Sequence, residues 1–553
     1  MKELTPFSAI PRKELHTQLP QTNFDLIVIG GGVTGCGIAL DAASRGLKTL
    51  LLEKGDFASG TSSKSTKLIH GGLRYLKQLE IGLVRETGTE RAIVHRLAPH
   101  LVLPEKMLLP LIENGTYGRT ATSFGLKVYD ILAGVKGKDK RRMLSKKEAL
   151  EKEPLLDEKV LKGAGYYAEY RTDDARLTIE LIKTAARYGA LALNYCKVID
   201  FLYEEGEVSA VVCEDQAMGN TFEVHAKHIV SAGGPWVDQL RKVDNSLKGK
   251  SLHLTKGVHI VVPHEKLPVN YSVYFDVPDG RMMFAIPRGK VTYIGTTDTT
   301  YKGDLNRVVA TAEDAQYIME SVNNAFPSIQ LQMKDLISNW AGLRPLIHED
   351  GKSPSELSRK DEIFISDTGL ISIAGGKLTG YRKMAQRIVD LVVEQEESRS
   401  FKDCFTKEIS LTPVPLPNYA AVKIYIENLK ERVHALGLSD YHAWYLTTTY
   451  GKQSELILDK MQDMEGASAG TRLLRAELWF GVHYEMVQSL TDFFVRRTGR
   501  LYFDILSIEP AKDIIAEDLQ DYLNLNDAQL IEEKEQLQTL LYDATHYYEE
   551  ELV

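Results

Sequence analysis

The stretch Gly30-Gly31-Gly32-Val33-Thr34-Gly35 constrains this chain more than any other, because it stands directly after an apolar run, Phe24 to Ile29, and directly before a helical segment reaching about Arg45. With a second apolar strand from Lys48 to Glu53, these pieces make a βαβ unit of about thirty residues, the opening of a doubly wound sheet. The spacing is G-x-G-x-x-G. Gly30 permits the tight turn, Gly32 lets the backbone approach a pyrophosphate, and Gly35 lets helix and strand pack closely, while the helix N-terminus offers N–H groups to the anion. Thr34 belongs to the same cradle. Glu53, about twenty residues on, stands where an acceptor for ribose hydroxyls belongs. An acidic residue there favours a free 2′-OH over a 2′-phosphate, which leaves FAD or NAD and disfavours NADP.

At 553 residues the chain exceeds what one hydrophobic core supports, so two or three domains are expected. Apolar strands return late, at Ala226 to Ala232 and Glu362 to Ala374, which predicts a parallel sheet assembled from distant segments with a second domain inserted between them. Alternating runs at Val258 to Val262, Met282 to Ile286 and Val291 to Ile294 predict a mixed sheet roofing the cofactor. After Cys404 the periodicity turns helical, as in Ala476 to Arg497. The expected class is α/β plus all-α. Residues 1–22 form an N-terminal extension, and 23–404 a dinucleotide-binding Rossmann-like domain with an interleaved cap, mainly about 90–195 and 250–345. Residues 405–553 form a C-terminal helical domain.

A net charge of −9 argues against general nucleic-acid affinity, so any anionic substrate must meet a local basic cluster. The four cysteines, Cys36, Cys196, Cys213 and Cys404, lie far apart without a CxxC pair, which fits neither a disulfide framework nor a zinc site and points to a reducing cytoplasm. No metal is expected. Met1 to Gln21 has no apolar core of a signal peptide, and Leu26 to Leu52 is interrupted by Asp41, Arg45 and Lys48, so membrane contact would come from the surface. The basic run Lys136, Lys138, Lys140, Arg141, Arg142, Lys146 and Lys147 reads first as a solvated loop entering a helix, with Ser145 and Glu148 at capping-box spacing. Attraction to anionic lipid is the sharper alternative.

Beyond the fingerprint, Ser59-Gly60-Thr61-Ser62-Ser63-Lys64-Ser65-Thr66-Lys67-Leu68-Ile69-His70-Gly71-Gly72-Leu73-Arg74-Tyr75-Leu76 resembles the FAD-dependent glycerol-3-phosphate dehydrogenases among the D-amino-acid-oxidase-like flavoproteins. Lys256 to Pro263, Ile294 to Asp298, Gly342 to Leu346 and Gly375 to Arg382 extend the resemblance over nearly the whole chain. It implies noncovalent FAD, oxidation of sn-glycerol 3-phosphate to dihydroxyacetone phosphate, and electrons passed to a quinone at the inner face of the cell membrane. A homodimer is left open. The cofactor residues it implies, besides the fingerprint and Glu53, are Thr61, Ser62, Ser63, Lys67, Leu68, His70, Gly71 and Gly72. Ala232, Gly233 and Trp236 follow at a strand end, and Gly375, Gly376, Lys377, Leu378 and Thr379 at a second one. Lys377 is expected to open a helix whose positive end faces the flavin.

Flavin oxidation of a secondary alcohol needs a positioned hydride, a base for the hydroxyl proton and, for this substrate, an anion cradle. The resemblance points to Arg344 and Arg74 for the phosphate, with Arg359 and Lys377 beside them and Tyr75 shaping the pocket. His259 is favoured as base, His70 is its rival, and a core histidine or a flavin-assisted route with an arginine stays open. Glu477, Glu485, Asp492, Arg496 and Arg497 read as a solvated helix face, with packing on the flavin domain or a second subunit as the alternative. Three other functions compete. An oxygen-using glycerophosphate oxidase is disfavoured by the short path from Gly303 to Arg344. A flavin-bound sensor without turnover is disfavoured by the basic residues, and an amine oxidase by arginines suited to phosphate.

Overall fold

The computed structural model describes residues 7–70, 81–113, 115–116, 118, 122–123, 125–128, 140–348, 361–396, 399–464 and 468–549. Two sheets organise it. In the first, strand Phe24–Ile29 runs parallel to Thr49–Leu52 on one side and to Asn220–Ser231 on the other. Leu191–Leu193 extends one edge, and Ile371–Gly375 the other. All six residues of Phe24–Ile29 are buried, as a near-continuous apolar run in a parallel sheet covered on both faces must be. Helix Val33–Arg45 leaves the glycine turn and packs against helices Asp174–Arg187 and Tyr381–Glu394, closing a single core with the sheet.

The second sheet centres on Leu252–Pro263, antiparallel to both Val291–Gly295 and Ser338–Ile347. It continues through Met282–Arg288, Ser272–Asp276, Leu103–Ile112 and Leu161–Arg171. Its edge takes Leu68–Ile69, a two-residue strand paired with Tyr170 and Arg171, which fastens the hydroxyl-rich loop beneath the roof.

Several boundaries differ from expectation. Glu362 to Ala374 is a hairpin, Asp361–Ile365 against Ile371–Gly375, because Gly369 turns the chain with φ +82°. The cap does not extend to 195, since helix Asp174–Arg187 and strand Leu191–Leu193 serve the first sheet. Residues 7–22 are anchored: Phe7 and Leu19 enter the core, and Arg12 in helix Arg12–Gln18 pairs with Asp215 at 2.9 Å and donates to the Asn194 carbonyl. Among the described residues of the basic run, the Ser145–Glu148 capping box is present, and Arg142, Lys146 and Lys147 face Glu148, Glu158 and Glu151. Lys136 and Lys138 lie outside the described residues.

The solvated-face reading of the helical tail is overturned. Helix Ala469–Tyr484 stops short of Arg497, and a π-helical turn follows at Asp492–Arg497. Asp492 accepts from the backbone N–H groups of Gln488 and Ser489 and its own N–H donates to Ser489 Oγ, which ties the start of that turn to the segment before it. The turn aims two consecutive arginines at one carboxylate: Arg496 and Arg497 meet Asp56 at 2.5 and 2.7 Å. Glu485 bridges Arg176 and Lys183, and Tyr195 donates to Asp492. Asp56, Glu485 and Asp492 are fully buried, so the tail is locked to the dinucleotide domain by desolvated ion pairs.

Candidate active site

Two adjoining cavities lie between the sheets. The larger, about 430 Å³, is a groove running over the carboxyl ends of the first sheet's strands, where open α/β sheets bind ligands. Gly30, Gly32, Thr34, Glu53, Thr61, Ser62, Ala232, Gly233 and Trp236 line it, with Gly375, Gly376, Lys377 and Leu378 at the far end. The smaller, about 150 Å³, is walled by Thr61, Thr66, Leu68, His70, His259, Arg344, Lys377 and Thr379. Thr61, Pro345, Gly376, Lys377 and Leu378 border both.

The glycines divide their labour. Gly30 has φ +113° and a Cβ there would meet the Ala232 carbonyl oxygen at 2.6 Å; at Gly35 a Cβ would sit 1.9 Å from the Gly30 oxygen. Both are demanded by the turn and by helix–strand packing. At Gly32 only Ser62 Oγ lies near, at 3.2 Å, so its missing side chain leaves groove rather than core. Gly32→Val is therefore expected to fold normally and emerge colourless, whereas Gly35→Val should lose soluble protein. Flavin absorbance per purified protein checks this, and full flavin occupancy in Gly32→Val would refute the pyrophosphate assignment.

These features fit FAD. The first turn of helix Val33–Arg45 faces the groove, with the Val33 N–H donating to Ser62 Oγ at 2.9 Å. Trp236 Nε1, buried without a hydrogen-bond partner among the described residues, offers a donor for a cofactor to meet. Glu53 is engaged more deeply than expected: its carboxylate accepts from the backbone N–H of Gly31 at 2.6 Å and of Gly55 at 2.8 Å, and burial raises its pKa. It shapes the turn as well as bordering the groove.

Two cofactor assignments change. Ser63 and Lys67 line neither cavity. Lys67, in the left-handed region at φ +56°, donates to the Ser63 carbonyl and pairs with Asp174. Asp174 also accepts from Ser65 N–H and Oγ–H. The pair pins the loop to the start of helix Asp174–Arg187 and thereby presents Thr66 and Leu68. Nor does Lys377 open a helix directly: a 3-10 turn, Leu378–Gly380, precedes helix Tyr381–Glu394. Gly71, Gly72, Arg74, Tyr75 and Arg359 lie outside the described residues.

Arg344 sits on the second sheet opposite Thr255, its guanidinium packed over Gly257, where a Cβ would lie 2.4 Å from Nη2. Nη1 donates to Asp298 Oδ1 and to the Thr297 carbonyl, both at 3.0 Å, and Nη2 donates to Thr296 Oγ1 at 2.8 Å. Asp298 thus aims the arginine, a role that its motif left unassigned. His259 is 1% exposed, stacked on Trp340 at 4.7 Å with 11° between planes, and its Nε2 lies 3.0 Å from Thr66 Oγ1. Burial first, then Arg344 and Lys67, hold its pKa well below the ordinary value, so the ring is neutral. His70 borders the same cavity and its carbonyl accepts from Thr379 Oγ1.

The groove's other end was not foreseen. Lys197, Val198 and Ile199, and Gln239, Leu240 and Val243 of helix Val237–Val243, complete it. No motif marks them, because they reach the fingerprint only through sheet order.

A parallel sheet carrying this fingerprint, a roofing mixed sheet and an alcohol-sized cavity at their junction define a flavin-dependent oxidoreductase. Comparison agrees: residues 25–382 match the FAD dependent oxidoreductase (DAO) family, and residues 374–530 the C-terminal domain of alpha-glycerophosphate oxidase. The aerobic glycerol-3-phosphate dehydrogenase of Bacillus subtilis (strain 168) is 48% identical over 97% of this chain and 98% of that protein. That of Staphylococcus haemolyticus is 46% identical over the same shares. The FAD-complexed glycerol-3-phosphate dehydrogenase of Bacillus halodurans superposes with TM-score 0.84 at 42% identity, covering 98% of this chain and 99% of the other. The chain belongs to the aerobic glycerol-3-phosphate dehydrogenase family of these oxidoreductases, and FAD is its noncovalent cofactor.

Proposed function

We propose that this enzyme oxidises sn-glycerol 3-phosphate at C2 to dihydroxyacetone phosphate and passes the two electrons to a quinone, working peripherally at the inner face of the cell membrane. The observation that carries the substrate is the 150 Å³ cavity, which sets an oriented arginine, Arg344, and a neutral imidazole, His259, beside the end of the FAD groove. FAD, when bound, supplies the hydride acceptor. Arg344 grips the phosphate, Asp298 holds its fork in place, and Lys377 adds positive charge where the groove and the cavity meet. His259, which lines the cavity with Thr66, takes the hydroxyl proton.

That its close relatives are dehydrogenases supports an acceptor other than oxygen, and a quinone is our reading of it. Among the described residues no helix is long and apolar enough to cross a membrane. Anaerobic glycerol 3-phosphate should bleach the flavin band, and a soluble quinone should restore it faster than oxygen does. Stoichiometric hydrogen peroxide with no stimulation by quinone would transfer the protein to the oxidase reading.

The base has its own signature. A histidine with a depressed pKa stays unprotonated, and so competent, as the pH falls below 6.5. The acid limb of kcat/KM should therefore lie below that value and vanish in His259→Asn. A limb near 6.5 that survives the substitution would move the role to His70.

A further inference from the structure

We propose that the chamber beside the flavin groove, walled by Lys54, Lys64 and Lys197, is a second anion site that receives a phosphate monoester on its way to the Arg344 cavity. The chamber holds about 420 Å³, and its other polar lining includes Gln216, Gln239 and Asn306, with no carboxylate among the described residues lining it. It shares Thr61, Lys64 and Leu343 with the Arg344 cavity, and Thr61 Oγ1 donates to the Leu343 carbonyl at 2.7 Å where the two adjoin. Lys54, Lys197 and Trp236 border the FAD groove as well, whereas Lys64, Gln216, Leu305, Asn306 and Val308 do not, so the chamber adjoins the dinucleotide's bed and extends past it.

Its cations are poorly compensated. Lys54 Nζ is fixed by Asn306 Oδ1 at 2.9 Å and lies 3.8 Å from the centre of the Trp236 ring, both neutral partners. Lys64 and Lys197 make no ion pair among the described residues. Burial and the nearby Arg496 bring the Lys64 amine down to about 8, opposed only by Asp543. Of the acids close by, Asp543 pairs with Arg307, while Glu53 and Asp304 attract Lys54 without forming an ion pair with it and accept from neutral N–H groups. A cleft lined by one sign of charge concentrates counter-ions, and lysines on flexible stems suit an anion held and released rather than locked. On a chain of net charge −9 such a chamber offsets the repulsion an incoming dianion meets.

The route rests on the substrate reading above; the site does not. The test titrates FAD-loaded protein with inorganic phosphate by calorimetry in a phosphate-free buffer, flavin content being read from absorbance. Arg344→Ala should still bind phosphate. Adding Lys64→Gln and Lys197→Gln should weaken that remaining site at least about tenfold, as loss of charge-assisted hydrogen bonds predicts, with Lys64→Arg retaining most of it. No phosphate binding in Arg344→Ala, unchanged affinity in the triple variant, or binding confined to flavin-stripped protein would each overturn the proposal, the last by giving the chamber to the dinucleotide. Should glycerol 3-phosphate fail to bleach the flavin, the route falls while the titration still judges the site.

Discussion

Arg344→Ala is expected to lower kcat/KM for glycerol 3-phosphate at least about tenfold, because each lost charge-assisted hydrogen bond costs about 1.5–3 kcal/mol. The following proline restricts the arginine backbone to extended conformations, and the strand, Gly257 and Asp298 hold the side chain, so little ordering remains to be done when substrate arrives. Lysine keeps the charge but not the fork, and Arg344→Lys should recover only part of the loss. Glycerol, without a phosphate, is the control: its slow oxidation should change little. Equal losses on both substrates would make Arg344 a support for fold or flavin. Asp298→Asn, which keeps the shape and removes the orienting charge, should fall between wild type and Arg344→Ala.

The second large effect is structural. Asp56 is fully buried between Arg496 and Arg497, and removing one partner of a buried ion pair typically costs about 3–5 kcal/mol, because the cations stay desolvated without compensation. Asp56→Ala should lower the urea midpoint markedly. It should also release FAD more readily, since Ser59 to Ser62, which border the groove, follow closely on the residue whose side-chain anchor is lost. The arginines hold the Asp56 carboxyl below its ordinary range, and Arg176 and Lys183 do the same for Glu485. A carboxylate with a depressed folded pKa stabilises fully above its unfolded pKa of about 4 and loses that contribution as the pH falls below it. Acid unfolding should therefore begin below about pH 4 and move upward in Asp56→Asn, whose cations have already lost their partner. An unchanged urea midpoint in Asp56→Ala would show the network to be energetically idle.

The amino-acid sequence by itself determined the dinucleotide half of this protein. Gly30, Gly32 and Gly35 act within a dozen residues of one another, and the turn they form depends on local sterics that spacing displays. The return of late strands to the sheet, Asn220–Ser231 beside Phe24–Ile29 and Ile371–Gly375 beside Asn220–Ser231, was likewise readable, because continuous apolar runs leave a buried parallel sheet as their main destination. What only the tertiary structure decided are the positions whose meaning depends on a partner far along the chain. Lys67 reads as a cofactor contact until Asp174 takes it. Glu485, Asp492, Arg496 and Arg497 read as a wet helix face until Asp56, Arg176 and Lys183 arrive to pair with them. The strand beginning at Cys196, at the groove's other end, carries no motif at all. Charge and periodicity report how a residue would behave in water or on a lone helix, whereas its role here follows from which other charge the fold desolvates beside it.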